Sequence, residues 1–129
     1  MNPALEFEIV DGIAVYRPVA ACPLPQAVDM IATAITRARS DGHRHMMIVT
    51  TGLTGFASPT VFERLDLVRR WAEAAQGLVT LCVVAHAQLI DADRFGVVVA
   101  TGFGLPAHVV ESEAEGLEWL RGLQTGNTR

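Results

Sequence analysis

Residues 46–66 read MMIVTTGLTGFASPTVFERLD, and the fold turns on this stretch. Met46-Met47-Ile48-Val49 is a continuous apolar run ending in Thr50-Thr51-Gly52, as in a strand covered on both faces. Gly52 and Gly55 supply the backbone freedom of a tight loop and let other groups approach closely. Two helix-start signals follow: Ser58-Pro59, an N-cap with proline at the first helical position, and Thr60-Val61-Phe62-Glu63, a capping box. Val61, Leu65, Val68, Ala72 and Ala75 then recur at helical spacing, flanked by Phe62 and Trp71. This spacing predicts one buried helix face and a stop at Gly77.

Working outward, Leu5, Phe7 and Ile9 alternate with Glu6 and Glu8, and Asp11-Gly12 makes a two-residue hairpin signal. Ile13, Val15 and Arg17 continue the alternation in a second strand stopped by Pro18, and residues 18–25 read as loop. From Gln26 the period becomes helical, with Val28, Ile31, Ile35 and Ala38 on one face and Asp41-Gly42 at the end. Leu78–Ala85 is a second buried strand, so strand, helix and strand predict a parallel crossover.

Between Leu89 and Phe103, Asp91 is a plausible N-cap, with Ile90, Phe95, Val98, Val99 and Gly102 on one helical face. Val97-Val98-Val99 taken alone favours a strand; helix is the reading adopted. Ala107–Val110 is a short last strand, and Ser112-Glu113-Ala114-Glu115 is a capping box opening a helix with Leu117, Trp119 and Leu120 on its apolar side. The expected architecture is one α/β domain over 1–129, with a mixed sheet of about five strands and about four helices. Residues 124–129 read as a frayed polar tail.

The chain has 129 residues, 50% of them apolar and 19% charged, which is a globular composition. A net charge of −4, no lysine and scattered arginines argue against nucleic acid as a partner. Cys22 and Cys82 form neither a disulfide framework nor a metal pattern. The opening MNPALEFE lacks the features of a signal peptide, and no run is long enough to span a bilayer. The expectation is a soluble cytoplasmic protein without stable membrane insertion, cofactor or metal.

The loop after the central strand is where open α/β folds place their sites, and a helix start favours an anion. Thr50, Thr51, Gly52, Thr54, Gly55 and Ser58 are therefore candidates for an anion-binding or phosphorylation switch. The competing reading is that Ser58 caps the helix and the threonines bond the loop to itself. A second candidate is an apolar pocket lined by Phe95, Val98, Val99 and Phe103 against the helix from Thr60 to Ala75, with His86 at the end of the Leu78–Ala85 strand. The competing and preferred reading is that those four apolar residues are simply core, as helical apolar stripes usually are. His43 and His45 lack a third metal ligand, and helix capping explains Asp91-Ala92-Asp93. No phosphate-binding glycine motif or nucleophile elbow is present, so an enzyme has no named chemistry.

The order hairpin, helix, strand, helix, strand, helix, short strand, helix resembles the STAS family of sulfate transporters and anti-sigma factor antagonists, over roughly residues 5–123. On that pattern Ser58 falls at or beside the serine phosphorylated in anti-sigma antagonists. Ala57 stands where that family has aspartate and Pro59 where a small residue is usual, so a kinase reading the acidic pair would not recognise this loop. TTGLTGF with the serine-proline helix start, WAEAAQG and LIDADRFGVVVA are similar to blocks of the SpoIIAA-like branch, which is associated with the fold of CRAL-TRIO lipid carriers. The resemblance implies a non-catalytic regulatory or protein-interaction domain with a protein partner, or alternatively a carrier or sensor of a small apolar ligand. Homodimerisation through Trp71 or Trp119 fits so small a domain.

Overall fold

The computed structural model describes residues 7–57, 59–86, 102, 104–105 and 107–126. Its main sheet contains β1 (Glu8–Val10), β2 (Ile13–Tyr16), β4 (His45–Val49), β6 (Thr80–Val84) and β7 (Ala107–Val110), in the spatial order β1-β2-β4-β6-β7. The β1-β2 hairpin is antiparallel and every other pairing is parallel, as the sequence predicts. A second, two-stranded sheet pairs β3 (Ala20–Ala21) with β5 (Leu53–Thr54) in parallel. The described residues form three helices, α1 (Leu24–Ser40), α2 (Val61–Ala75) and α3 (Glu113–Gly126). This is one fewer than expected; the helix read over 89–103 falls almost entirely outside the described residues.

The apolar runs are continuous because the three inner strands are covered on both faces, and successive side chains point to opposite sides. Ala14, Tyr16, Met46, Ile48 and Leu81 face α1 and α2, meeting Ile31, Ile35, Ala38 and Val68. Ile13, Val15, Met47, Val49, Cys82 and Val84 face the other way, against Leu120 and the half-buried Leu117, Trp119 and Leu123 of α3. The half-buried alternation expected of β2 is therefore corrected. All four of its residues are buried, and Arg17 lies outside the strand on the surface. Edge strand β1 departs from expectation too: Ile9 is 52% exposed.

Helix α1 begins at Leu24, two residues before Gln26, since proline is tolerated in the first turn. The start of α2 is decided between its two signals. Thr60 is the N-cap, with its hydroxyl accepting from the Glu63 amide and the Glu63 carboxylate accepting from the Thr60 amide. Gln76 in the left-handed region ends the helix, followed by Gly77 at φ 70. Helix α3 is capped by Ser112, whose hydroxyl accepts from the Glu115 amide at 3.2 Å. The Glu115 carboxylate reaches one residue further back than a standard box, to the Glu111 amide. Its last turn is not frayed at 124: Gln124 donates to the Asp11 carbonyl at 3.0 Å and the helix runs to Gly126.

Helix α3 lies very close to the sheet at Gly116, where a β-carbon would sit 2.6 Å from Met47 Sδ and 3.3 Å from Cys82 Sγ. Burial pushes the Cys82 thiol up to about 12, from an ordinary 9.0. The folded protein thus keeps its proton where the unfolded chain releases it, so stability is full below pH 9 and falls as pH rises toward 12. Cys82 alone is expected to cost about 2 kcal/mol between pH 9 and about pH 11. Alkaline unfolding of wild type against Cys82→Ala checks this; parallel curves would show that the thiol is not sealed from water.

Tyr16 is 1% exposed, and its hydroxyl has no hydrogen-bond partner among the described residues. Its ring packs edge-on to Phe7 with centroids 6.0 Å apart, and desolvation raises its pKa. Tyr16→Phe removes an unsatisfied polar atom while keeping the ring. It is expected to leave stability unchanged or raise it by up to about 1 kcal/mol, read as the urea unfolding midpoint.

Candidate functional site

Between the sheet and helices α1 and α2 lies a cavity of about 160 Å³. Its floor is the outward row of the two parallel strands β6 and β7, namely Leu81, Val83, Ala107 and Val109. Helix α1 contributes Leu24, Ala27, Val28 and Ile31 to the wall, and α2 contributes Arg64, Leu67, Val68 and Trp71. The loop after β4 closes one end with Thr50, Leu53, Phe56 and Pro59. His86 is exposed and marks the rim at the carboxyl ends of the strands.

The helical wall is pinned by three contacts between α1 and α2. Trp71 Nε1 donates to the Val28 carbonyl at 3.2 Å, Arg39 Nε donates to the Ala74 carbonyl at 2.9 Å, and Arg70 pairs with Asp29 at 2.7 Å. Inside the rim, two polar side chains of the lining are themselves engaged. Thr50 Oγ1 donates to the Val84 carbonyl at 2.8 Å, and Arg64 Nη1 donates to the Pro59 carbonyl. The His108 ring turns to the opposite face, stacked on Trp119 with centroids 4.8 Å apart.

The parallel register of β4 and β6 brings two sequence candidates together: the Thr50 amide donates to the Val84 carbonyl, two residues before His86. Thr51 and Gly52 form a half-buried turn, and Thr54 is exposed in β5. Gly52 and Gly55 do permit a close approach, but by the chain's own segment 18–22. A β-carbon on Gly52 would lie 2.9 Å from the Pro18 carbonyl oxygen, and one on Gly55 would lie 2.8 Å from the Cys22 amide nitrogen. Two of the loop's carbonyls are taken in that pairing: Ala20 N donates to Gly52 O, and Cys22 N donates to Thr54 O. Beyond it, the carboxylate of Glu63 occupies the start of α2. Ser58 and the pocket candidates Phe95, Val98, Val99 and Phe103 lie outside the described residues.

Comparison with protein-family models, with curated proteins and with solved structures gives no match to this chain. Among the described residues no group of three or more His, Cys, Asp or Glu could hold a metal ion, and no helix is long and apolar enough to cross a membrane.

Three features of the site escape sequence reasoning. The whole contribution of α1 is one, because its inward residues read only as core. Another is the floor residue Ala107, too small to signal anything. Most informative is Arg64, only 7% exposed. The expected stripe of α2 holds at Val68, Ala72 and Ala75 but fails in the first two turns, where Val61 and Leu65 are 54% and 39% exposed and the flanking Phe62 is 82% exposed. There the buried side contains Arg64, with Leu67 half-buried beside it and Trp71 half-buried in the next turn. Arginine has a long aliphatic stem that packs against apolar neighbours while its head finds acceptors. A reading that scores it only as charged rotates the first two turns away from the sheet.

Proposed function

We propose that this protein is a non-catalytic binding domain that holds a small apolar molecule between its sheet and helices α1 and α2. The observation that carries this reading is the cavity of about 160 Å³, walled among the described residues mainly by aliphatic and aromatic side chains. Protein interiors pack to crystal-like density and rarely leave such spaces without use. Native mass spectrometry on protein from its own cells, with solvent extraction, tests it. An apolar molecule that accompanies the wild type and is lost in Ala107→Phe, which fills the floor, is the expected result. Identical extracts from both proteins would defeat the reading.

A second reading, a regulatory module that meets a protein partner or its own copy through the first turns of α2, is favoured by the exposure of Val61, Phe62 and Leu65 there. Exposed apolar side chains clustered on one element mark interaction surfaces more often than isolated ones do. Phe62→Ser is expected to change stability by less than about 0.5 kcal/mol, since the ring contributes little packing, and to weaken association in sedimentation. Unaltered association would remove this reading. The switch at Ser58 belongs to it, and Ser58→Asp in the same assay decides whether charge at that position matters.

A further inference from the structure

We infer that the cavity selects a compact, uncharged hydrocarbon, of single-ring or short branched shape, over a long acyl chain. The inference rests on the ligand-binding reading above and narrows it to a chemical class. Size is the first argument. A dry cavity of about 150 Å³ lined by leucine, isoleucine and phenylalanine accepts benzene or xenon, whereas pockets for larger ligands run from about 300 to 1,000 Å³. At about 160 Å³ this cavity, open at the His86 rim, holds a body of the former size.

Polarity is the second. A charged or strongly hydrogen-bonding ligand loses its hydration on entry and needs partners within the site. Inside the rim, which His86 marks, the described lining gives it little: the Thr50 hydroxyl is committed to Val84, the Trp71 indole N–H to Val28, and the His108 ring to Trp119 on the far side. Arg64 already donates to Pro59. A ligand without polar groups leaves each of these bonds intact.

Stiffness is the third. The floor belongs to two strands joined in a parallel ladder, and two of its residues, Val83 and Val109, are β-branched with restricted rotamers. The wall opposite is pinned by the Trp71–Val28, Arg39–Ala74 and Arg70–Asp29 contacts. Widening the slot for a long chain would break those bonds before any new contact formed.

Trp71 lines the cavity and reports on its contents, while Trp119 sits against the other face and supplies background. The test therefore uses the full chain carrying Trp119→Phe, titrated with toluene and, separately, with dodecanoate. Toluene should change Trp71 emission saturably, with a dissociation constant on the order of 0.1–1 mM. In Ala107→Phe the affinity should fall at least about tenfold, the loss expected when the occupied space is filled. Val83→Phe serves as a second filler if circular dichroism finds the first unfolded. Dodecanoate should leave the emission unchanged at the same concentrations. Tighter binding of dodecanoate than of toluene, abolished by the same fillers, would overturn the size argument while leaving a ligand-binding domain. Binding of neither would overturn both.

Discussion

Gly55→Val is expected to destabilise the fold by about 4 kcal/mol, from backbone strain and overpacking together. Gly55 has φ 97, which a β-branched residue does not adopt without strain. Its β-carbon would also meet the amide nitrogen and carbonyl oxygen of Cys22 at 2.8 and 3.0 Å. Both are backbone atoms, and the nitrogen donates at 2.8 Å to Thr54, so relief requires parting β3 from β5. Leu53 and Phe56 flank this point and close one end of the cavity, so ligand binding should fall with stability. Gly77→Ala is the control: Gly77 has φ 70 and a β-carbon there would meet nothing within 4 Å, so strain acts alone and costs about 1 kcal/mol. Equal denaturation midpoints for the two variants would mean that segment 18–22 does not press on the loop.

Leu120→Ala is expected to cost about 3–4 kcal/mol, as fully buried leucines do when the surroundings only partly collapse. Leu120 is 0% exposed and lies against Val15, Met47 and Cys82 in the core on the far side of the sheet. The polar ties of α3 are exposed: Arg17 with Glu113 at 2.7 Å, and Arg121 with Asp11 at 2.6 Å. Pairs of this kind contribute about 1 kcal/mol or less. Arg121→Ala should therefore shift the unfolding midpoint far less than Leu120→Ala, and hydrogen exchange should accelerate throughout α3 only in the latter. A larger effect of Arg121→Ala would place the attachment of α3 at its surface.

Much of the fold is legible because its signals are local. The hairpin follows from Asp11-Gly12, with Asp11 at φ 52 and Gly12 at φ 80, as a turn matched to strand twist requires. Uninterrupted apolar residues in β4 and β6 indicate helices on both sides of a parallel sheet, and both sides are covered. Thr60 and Glu63 sit three residues apart, the spacing that lets each satisfy the other's amide, and they set the start of α2.

The site is less legible because it depends on which surfaces meet. Thr50 and His86 are far apart in sequence and become neighbours through the parallel register of β4 with β6. The loop glycines announce a close approach, but their partner, segment 18–22, carries no signal of its own. Ala20 and Ala21 form a strand only because Leu53 and Thr54 offer them a ladder.

The sequence by itself determined the order of the main-sheet strands and of the three described helices, their polarity in the sheet and the cap of α3, since each rests on residues within a few positions of one another. Tertiary structure alone decided the rotation of α2. In its first two turns the apolar Val61, Phe62 and Leu65 stay outside while the charged Arg64 turns inward, an outcome that helical period and hydropathy do not predict. Contact with α1 and the sheet decides it: the Trp71–Val28 bond and the burial of Arg64 turn one side inward and leave the other at the surface. The cavity follows from the same rotation, because an empty volume is a property of how surfaces fail to meet and has no residue to encode it.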